Sequence, residues 1–153
     1  MINMIVAVSK NGVIGKNGNL PWRIPEDLKA FKELTMGGTL FVGKNTAATL
    51  PPLKGRTVVK VNRTEFPTLN DVTDPQWGDT SRWIIGGAAI YNAALDADIV
   101  DKVYLTVIDQ DFDGDTFFSH GQFQDPKWIL TGTRVLKETD PLVTLQEWTR
   151  KRV

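Results

Sequence analysis

Apolar positions in this chain come in short runs separated by turn-forming residues, and the runs alternate between two periods. Residues 2–8 contain Met4-Ile5-Val6-Ala7-Val8, a continuous apolar run short enough for a strand buried on both faces. Thr39-Leu40-Phe41-Val42, ending at Gly43, repeats the pattern, as do Thr57-Val58-Val59-Lys60-Val61, Arg82-Trp83-Ile84-Ile85 and residues 103–108. Between these runs the spacing turns helical. Residues 25–35 read as a helix with Pro25 at its first position and Glu26 and Asp27 in its first turn. Thr46 to Leu50 reads as a short helix stopped by Pro51-Pro52, and Ala88 to Leu95 as one that follows the break Gly86-Gly87. Trp128-Ile129-Leu130 and Leu142 to Trp148 read as two antiparallel closing strands, while residues 62–81 are polar, rich in turn formers and without period. Strand–helix alternation predicts a single α/β domain over residues 1–153, with a central, mostly parallel sheet, an antiparallel C-terminal strand and helices on both faces.

Composition narrows the function without choosing it. The 153 residues are 41% apolar, enough for one real core and too few for two ordinary domains. Eighteen basic residues balance 18 acidic ones, so no charge excess points to nucleic acid. No cysteine is present and histidine occurs once, at His120, which removes disulfides and Cys or His metal clusters. Phe118-Ser119-His120-Gly121 reads as loop, with the imidazole in solvent. The apolar start lacks the basic leader of a signal peptide, and no run approaches the ~20 apolar residues of a spanning helix. The expectation is a cytoplasmic monomer acting on a small molecule, with no metal, nucleic-acid or membrane partner.

The chemistry concentrates in Ile14 to Phe31. Asp27 lies four residues before Phe31, on the same helix face, and is flanked by Trp22 and Leu28. An acid in a first helical turn is ordinarily a solvated partner of the helix dipole. Among apolar neighbours it needs a cationic or donor-rich partner, and a flat basic heterocycle supplies one through two parallel hydrogen bonds. Two strand–glycine–helix junctions, Gly43-Lys44-Asn45-Thr46 and Ile85-Gly86-Gly87-Ala88-Ala89, read as anion sites suited to a dinucleotide pyrophosphate. Neither is the G-x-G-x-x-G fingerprint. Gly38 to Asn45 comes within one residue of a nucleoside-triphosphate loop. It has Asn45 where a hydroxyl should meet Mg²⁺, and strand-like residues where a cradle should turn.

Taken in order, Val13-Ile14-Gly15, Leu20-Pro21-Trp22, Pro25-Glu26-Asp27-Leu28, Val42 to Thr46, Leu53-Lys54-Gly55-Arg56, Ile85-Gly86-Gly87, Tyr91, Tyr104-Leu105-Thr106 and Gly114 to Phe118 resemble the motifs of the dihydrofolate reductase family across nearly the whole chain. The resemblance implies reduction of 7,8-dihydrofolate to tetrahydrofolate by hydride from NADPH. It implies Asp27 as the pterin-binding carboxylate with Thr106 as its hydroxyl partner, and Trp22 and Tyr91 beside the reaction. Ile5, Leu20, Trp22, Leu28, Phe31, Leu50, Leu53 and Ile85 would wall the substrate pocket, with Arg56 on the glutamate tail. Ala7, Ile14 and Tyr91 would flank the nicotinamide. Gly15, Asn19, Gly43, Lys44, Asn45, Thr46, Asn62, Arg63, Thr64, Gly86, Gly87, Ala88, Ala89 and Ile90 would hold the rest of the cofactor, with a cis Gly86–Gly87 bond. Gly15 to Trp22 would be a mobile lid turning at Asn17-Gly18 and clasped by Asp115.

Three departures from the family pattern stand out. Ala47-Ala48 replace an aromatic and a polar residue, Ala89 replaces a basic one, and residues 62–81 are shorter than usual. The adenine half of the cofactor site is therefore expected to be reduced. Two other readings remain at this point: a same-fold reductase of a pyrimidine ribityl phosphate, which would want basic residues in the cleft and no acid at position 27, and a pterin-binding protein without turnover.

Overall fold

A computed structural model describes residues 1–152. Nine strands and three helices follow in the order β1 (Ile2–Ser9), β2 (Val13–Gly15), α1 (Pro25–Thr35), β3 (Thr39–Gly43), α2 (Lys44–Ala47), β4 (Thr57–Val61), β5 (Arg82–Ile84), α3 (Ala88–Asp96), β6 (Lys102–Ile108), β7 (Thr116–Phe117), β8 (Trp128–Lys137) and β9 (Val143–Arg150). Seven strands form one sheet in the order β4-β3-β5-β1-β6-β9-β8. β1 pairs in parallel with β5 and β6, β3 with β4 and β5, and β9 alone runs against the rest. β2 and β7 form a separate two-stranded ribbon.

Alternation along the strands divides the core into layers. Met4, Val6 and Val8 of β1, Phe41, Ile84, Val103 and Leu105 face α3, where Tyr91 and Ala94 close the layer. Ile5, Leu40, Val42, Trp83 and Ile85 face the other way and meet Phe31 and Leu34 of α1 and Ala47 of α2. Leu40, Phe41 and Val42 are all fully buried although consecutive, which fits a central parallel strand covered on both faces. Each such side chain contributes about 1.5–3 kcal/mol of transfer free energy. The architecture expected from the strand–helix alternation is the one observed.

Local boundaries differ in instructive places. α2 begins at Lys44 and ends at Ala47, rather than running from Thr46 to Leu50. The chain has to leave the helix before Pro51-Pro52, because a residue preceding proline is pushed toward extended backbone. β8 runs seven residues beyond Leu130, through the polar stretch Thr131-Gly132-Thr133-Arg134. It is an edge strand, largely exposed and shifted in register near Gly132 and Leu136, so it carries little apolar signal. His120 opens a 3-10 turn, His120–Gln124, and is half-buried rather than in a solvated loop.

The segment 62–81 departs most from expectation. It holds two 3-10 turns, Leu69–Thr73 and Pro75–Trp77. Thr68 and Asp71 cap the first turn reciprocally, Val72 is fully buried, and Arg82 donates to the Val72 carbonyl at 2.8 Å. The Trp77 indole N–H donates to the Asp71 carbonyl at 2.6 Å, and its ring meets Phe41 edge-on at 5.3 Å. Trp77, alone among polar neighbours, gives no period to read, yet it anchors the segment.

Candidate active site

α1 starts where Ile24 leaves extended backbone and Pro25 supplies the first helical φ; no side chain caps it. That start places Asp27 in the first turn, with its N–H on the Ile24 carbonyl at 3.0 Å. Thr106 sits on β6 in register with Ala7 of β1 and is 2% exposed. Val103 and Leu105 face α3, so the strand's alternation turns Tyr104 and Thr106 toward α1. Burial pushes the Asp27 carboxyl above the usual carboxylate range, and the Thr106 hydroxyl turned toward it pulls the other way. Among the described residues no cation pairs with Asp27.

Packing brings five of the expected wall residues into one apolar cluster: Ile5 and Ile85 from the sheet, Phe31 from α1, and Leu50 and Leu53 from the proline turn. Leu20 and Leu28 lie outside it and remain exposed. Trp22 joins a third cluster with Val13, Ile24 and Ile108, its ring 5.1 Å from Phe112, and its buried indole N–H has no acceptor among the described residues. Arg56 lies with its guanidinium carbon 5.9 Å from the Phe31 ring centroid. Its Nε donates to the Lys54 carbonyl at 3.1 Å and one terminal nitrogen to Thr35 Oγ1 at 3.4 Å. These contacts hold the group at the α1 side of the cleft while leaving donors free.

The two glycine junctions meet. The Gly43 N–H donates to the Gly86 carbonyl at 2.8 Å, and the Gly86–Gly87 bond is cis. A Cβ on Gly87 would come within 2.8 Å of Thr46 Oγ1, and one on Gly43 within 3.1 Å of Ile90, so a side chain at either position would crowd this cradle and push its neighbours aside. No side chain caps α3, which leaves the first-turn N–H groups at Ala88 and Ala89 open to an anion. α2 has only four residues and little dipole. The first junction therefore offers groups, Lys44, Asn45 and Thr46, rather than the second helix end expected from the sequence. Tyr91 crosses beneath: its hydroxyl donates to the Ile5 carbonyl at 2.8 Å, and burial, with the Asp27 charge, raises its pKa so that it stays protonated.

Gly43 of β3 lies opposite Val61 of β4. Lys44 and Arg63 accordingly leave neighbouring strand ends at the carboxyl edge, both exposed and neither paired with an acid among the described residues. Asn62 turns its N–H back to the Pro67 carbonyl at 2.8 Å, and Thr64 is exposed.

The ribbon β2–β7 carries the segment expected to form a lid. Lys16 and Asn19 exchange backbone hydrogen bonds of 2.8 and 3.0 Å around Asn17 and Gly18, whose φ values of 52° and 81° suit a two-residue turn. Asp115 Oδ2 accepts from the Asn17 N–H at 2.9 Å, which holds the Asp115 carboxyl below the usual range. Lys16 pairs with Asp113 at 2.7 Å. Gly114 is required between these acids, because any Cβ there would strike Val13 and come within 2.7 Å of the Gly15 carbonyl. Without the family motif Gly114-Asp115 would read as a plain turn, and the close fit of the glycine against Val13 and Gly15 leaves no local pattern.

A half-buried acid without a cationic partner, beside an apolar wall and next to a glycine-lined edge with open N–H groups, gives an α/β protein a site chemically suited to a donor-rich heterocycle and a dinucleotide. The dihydrofolate reductase family profile matches residues 1–148. Dihydrofolate reductase of Bacillus subtilis is 33% identical over 143 residues, covering 87% of this chain and 83% of that one. Dihydrofolate reductase type 9 of Escherichia coli is 34% identical, covering 96% and 92%. A solved Enterococcus faecalis dihydrofolate reductase complexed with NADP(H) and RAB-propyl superposes with a TM-score of 0.84 at 27% identity, covering 99% of this chain and 97% of that one. The chain belongs to the dihydrofolate reductase family.

Proposed function

We propose that this protein reduces 7,8-dihydrofolate to 5,6,7,8-tetrahydrofolate with NADPH. The observation that carries the reading is Asp27: a half-buried carboxyl without a cationic partner, between Thr106 and an apolar wall. Burying such a charge is costly unless a ligand compensates it. The amino group and adjacent ring N–H of a pterin present the two parallel donors its oxygens accept. Ile5, Phe31, Leu50, Leu53 and Ile85 then cover the ring, and Arg56 takes the tail carboxylate.

The cradle fits the cofactor, since Gly43, Gly86 and Gly87 leave no side chain in the way and α3 is uncapped. Thr46 and the first turn of α3 would hold the pyrophosphate, Lys44 and Arg63 the 2′-phosphate, and Ala7, Ile14 and Tyr91 the nicotinamide end. When bound, NADPH supplies the hydride. Asp27 orients and polarises the pterin so that the nitrogen beside the accepting carbon takes its proton from water. The lid Gly15–Trp22 excludes other water. No helix among the described residues is long and apolar enough to cross a membrane, and the reading includes a monomer working on a free small molecule in the cytoplasm.

The test follows loss of NADPH absorbance on addition of dihydrofolate to the purified protein. Turnover that requires Asp27 supports the reading. Folate binding without turnover would leave a pterin-binding protein instead.

A further inference from the structure

Of the aromatic side chains among the described residues, only Phe66 and Phe117 are exposed, at 55% and 56%. Phe117 belongs to β7 and pairs with Val13 in the lid ribbon. Phe66 has no such structural partner in the sheet, yet it is held in place. The loop that carries it is closed at its base by the Asn62 N–H on the Pro67 carbonyl, at 2.8 Å, and by a bridge between Asn62 and Thr68. Its ring lies parallel to Trp77, with the planes 2° apart and the centroids offset to 5.9 Å. Trp77 is fixed in turn by its hydrogen bond to Asp71 and its edge contact with Phe41. One face of Phe66 is thus backed by a rigid stack that leads into the core, while more than half of the side chain stays in water. An exposed phenylalanine held this firmly has lost its rotamer freedom and gained little burial in return.

We infer that Phe66 is the stacking platform for the adenine of the dinucleotide. The inference rests on the NADPH reading above. In that nucleotide the 2′-phosphate and the base hang on adjacent ribose carbons, so a phosphate held by Lys44 and Arg63 puts the base beside the same strand end. Phe66 follows Arg63 by three residues in the closed loop and offers the one free aromatic face there. The other surface at this edge is small and apolar, with Ala89 and Ala93 exposed on α3. Stacking needs no hydrogen-bond partner on the base, and position 89, where the family pattern has a basic residue, offers only the methyl group of Ala89. The ordered segment 62–81 therefore replaces the expected adenine pocket with an aromatic shelf.

Calorimetric titration of the whole protein with 2′,5′-ADP, which carries the adenosine and both phosphates but no nicotinamide, reads this directly. Phe66→Ala should weaken that binding about 10-fold, the scale of removing one base–aromatic stack. NADPH and NADH should lose equally, since both carry the base. Reduced nicotinamide mononucleotide, which lacks it, should be used as before, and Phe66→Tyr should restore affinity. Because Phe66 loses only its stack on Trp77, Phe66→Ala should lower the unfolding midpoint by no more than about 2–4 °C. Unchanged 2′,5′-ADP affinity in Phe66→Ala, or an equal loss for the mononucleotide, would overturn the platform. Failure of the phosphate clamp has a different signature, a Lys44/Arg63 variant that still discriminates NADPH from NADH. Failure of the reading beneath both would appear as no 2′,5′-ADP binding to the unaltered protein.

Discussion

Asp27 holds its charge in a half-buried site among apolar side chains, and the cost has a measurable sign. Burial raises its folded pKa above the ~3.9 of an unfolded aspartate. The folded state therefore binds more protons than the unfolded one between those two values, and stability falls as pH rises through that interval. Asp27→Asn removes the penalty while keeping the shape. The ligand-free variant should unfold at a higher temperature than the parent at pH 7, with the difference closing below about pH 4. Scanning calorimetry across pH checks this, and a variant that is less stable at pH 7 would contradict the burial argument. The same change should lower kcat/KM for dihydrofolate on the order of 10²-fold or more near neutral pH, and less in acid, where the ring arrives already protonated. Arg56 acts at the other end of the substrate. Arg56→Ala should raise KM about 10- to 100-fold, the scale of a lost charged hydrogen-bond pair, without changing use of a pterin that lacks the glutamate. An equal effect on both substrates would make Arg56 structural, through its contacts with Thr35 and Phe31.

At the scale of elements, the proposed lid is a short ribbon whose turn, residues 16–20, is exposed. Its tip is tied down chiefly by Asp115 on the Asn17 N–H, and the Lys16–Asp113 pair is exposed on both sides and adds little in solvent. Segments of this kind open locally at low free-energy cost. Asp115→Ala should speed amide exchange at residues 16–19 and lower kcat/KM several-fold while leaving the unfolding midpoint in place. Unaltered exchange would mean that the β2–β7 pairing, rather than the acid, holds the lid. The two glycine junctions differ for a similar reason of length. α3 has nine residues and brings a dipole to the cradle; α2 has four and brings only its side chains.

Across the whole molecule, the carboxyl edge of the sheet collects groups from β3, β4 and α3 that are far apart in the chain. If Lys44 and Arg63 grip the 2′-phosphate there, NADPH should be preferred over NADH by roughly 10- to 10³-fold, less at high salt because both cations are exposed. Replacing both with Ala should nearly erase the preference and leave NADH use intact. Competition between the two nucleotides in steady-state kinetics reads it, and a double variant that kept a strong preference would place the phosphate elsewhere.

Periodicity and punctuation set much of this protein by themselves. Continuous apolar runs at Met4–Val8 and Leu40–Val42 mark strands covered on both faces, and Pro25 with two acids marks where α1 begins, because these signals are local and follow from backbone sterics and burial. Asp27 was legible as a candidate for the same reason, since its neighbours one turn away are apolar. Other features exist only once distant segments meet. Thr106 faces Asp27 because β6 pairs with β1 in one register; a slip of one residue would turn it away. Gly87 and Thr46 share a cradle because β3 and β5 are adjacent. Trp77 orders residues 62–81 through Phe41, a contact with no trace in local pattern. Short-range geometry determined the elements and the acid; long-range packing decided what each of them faces.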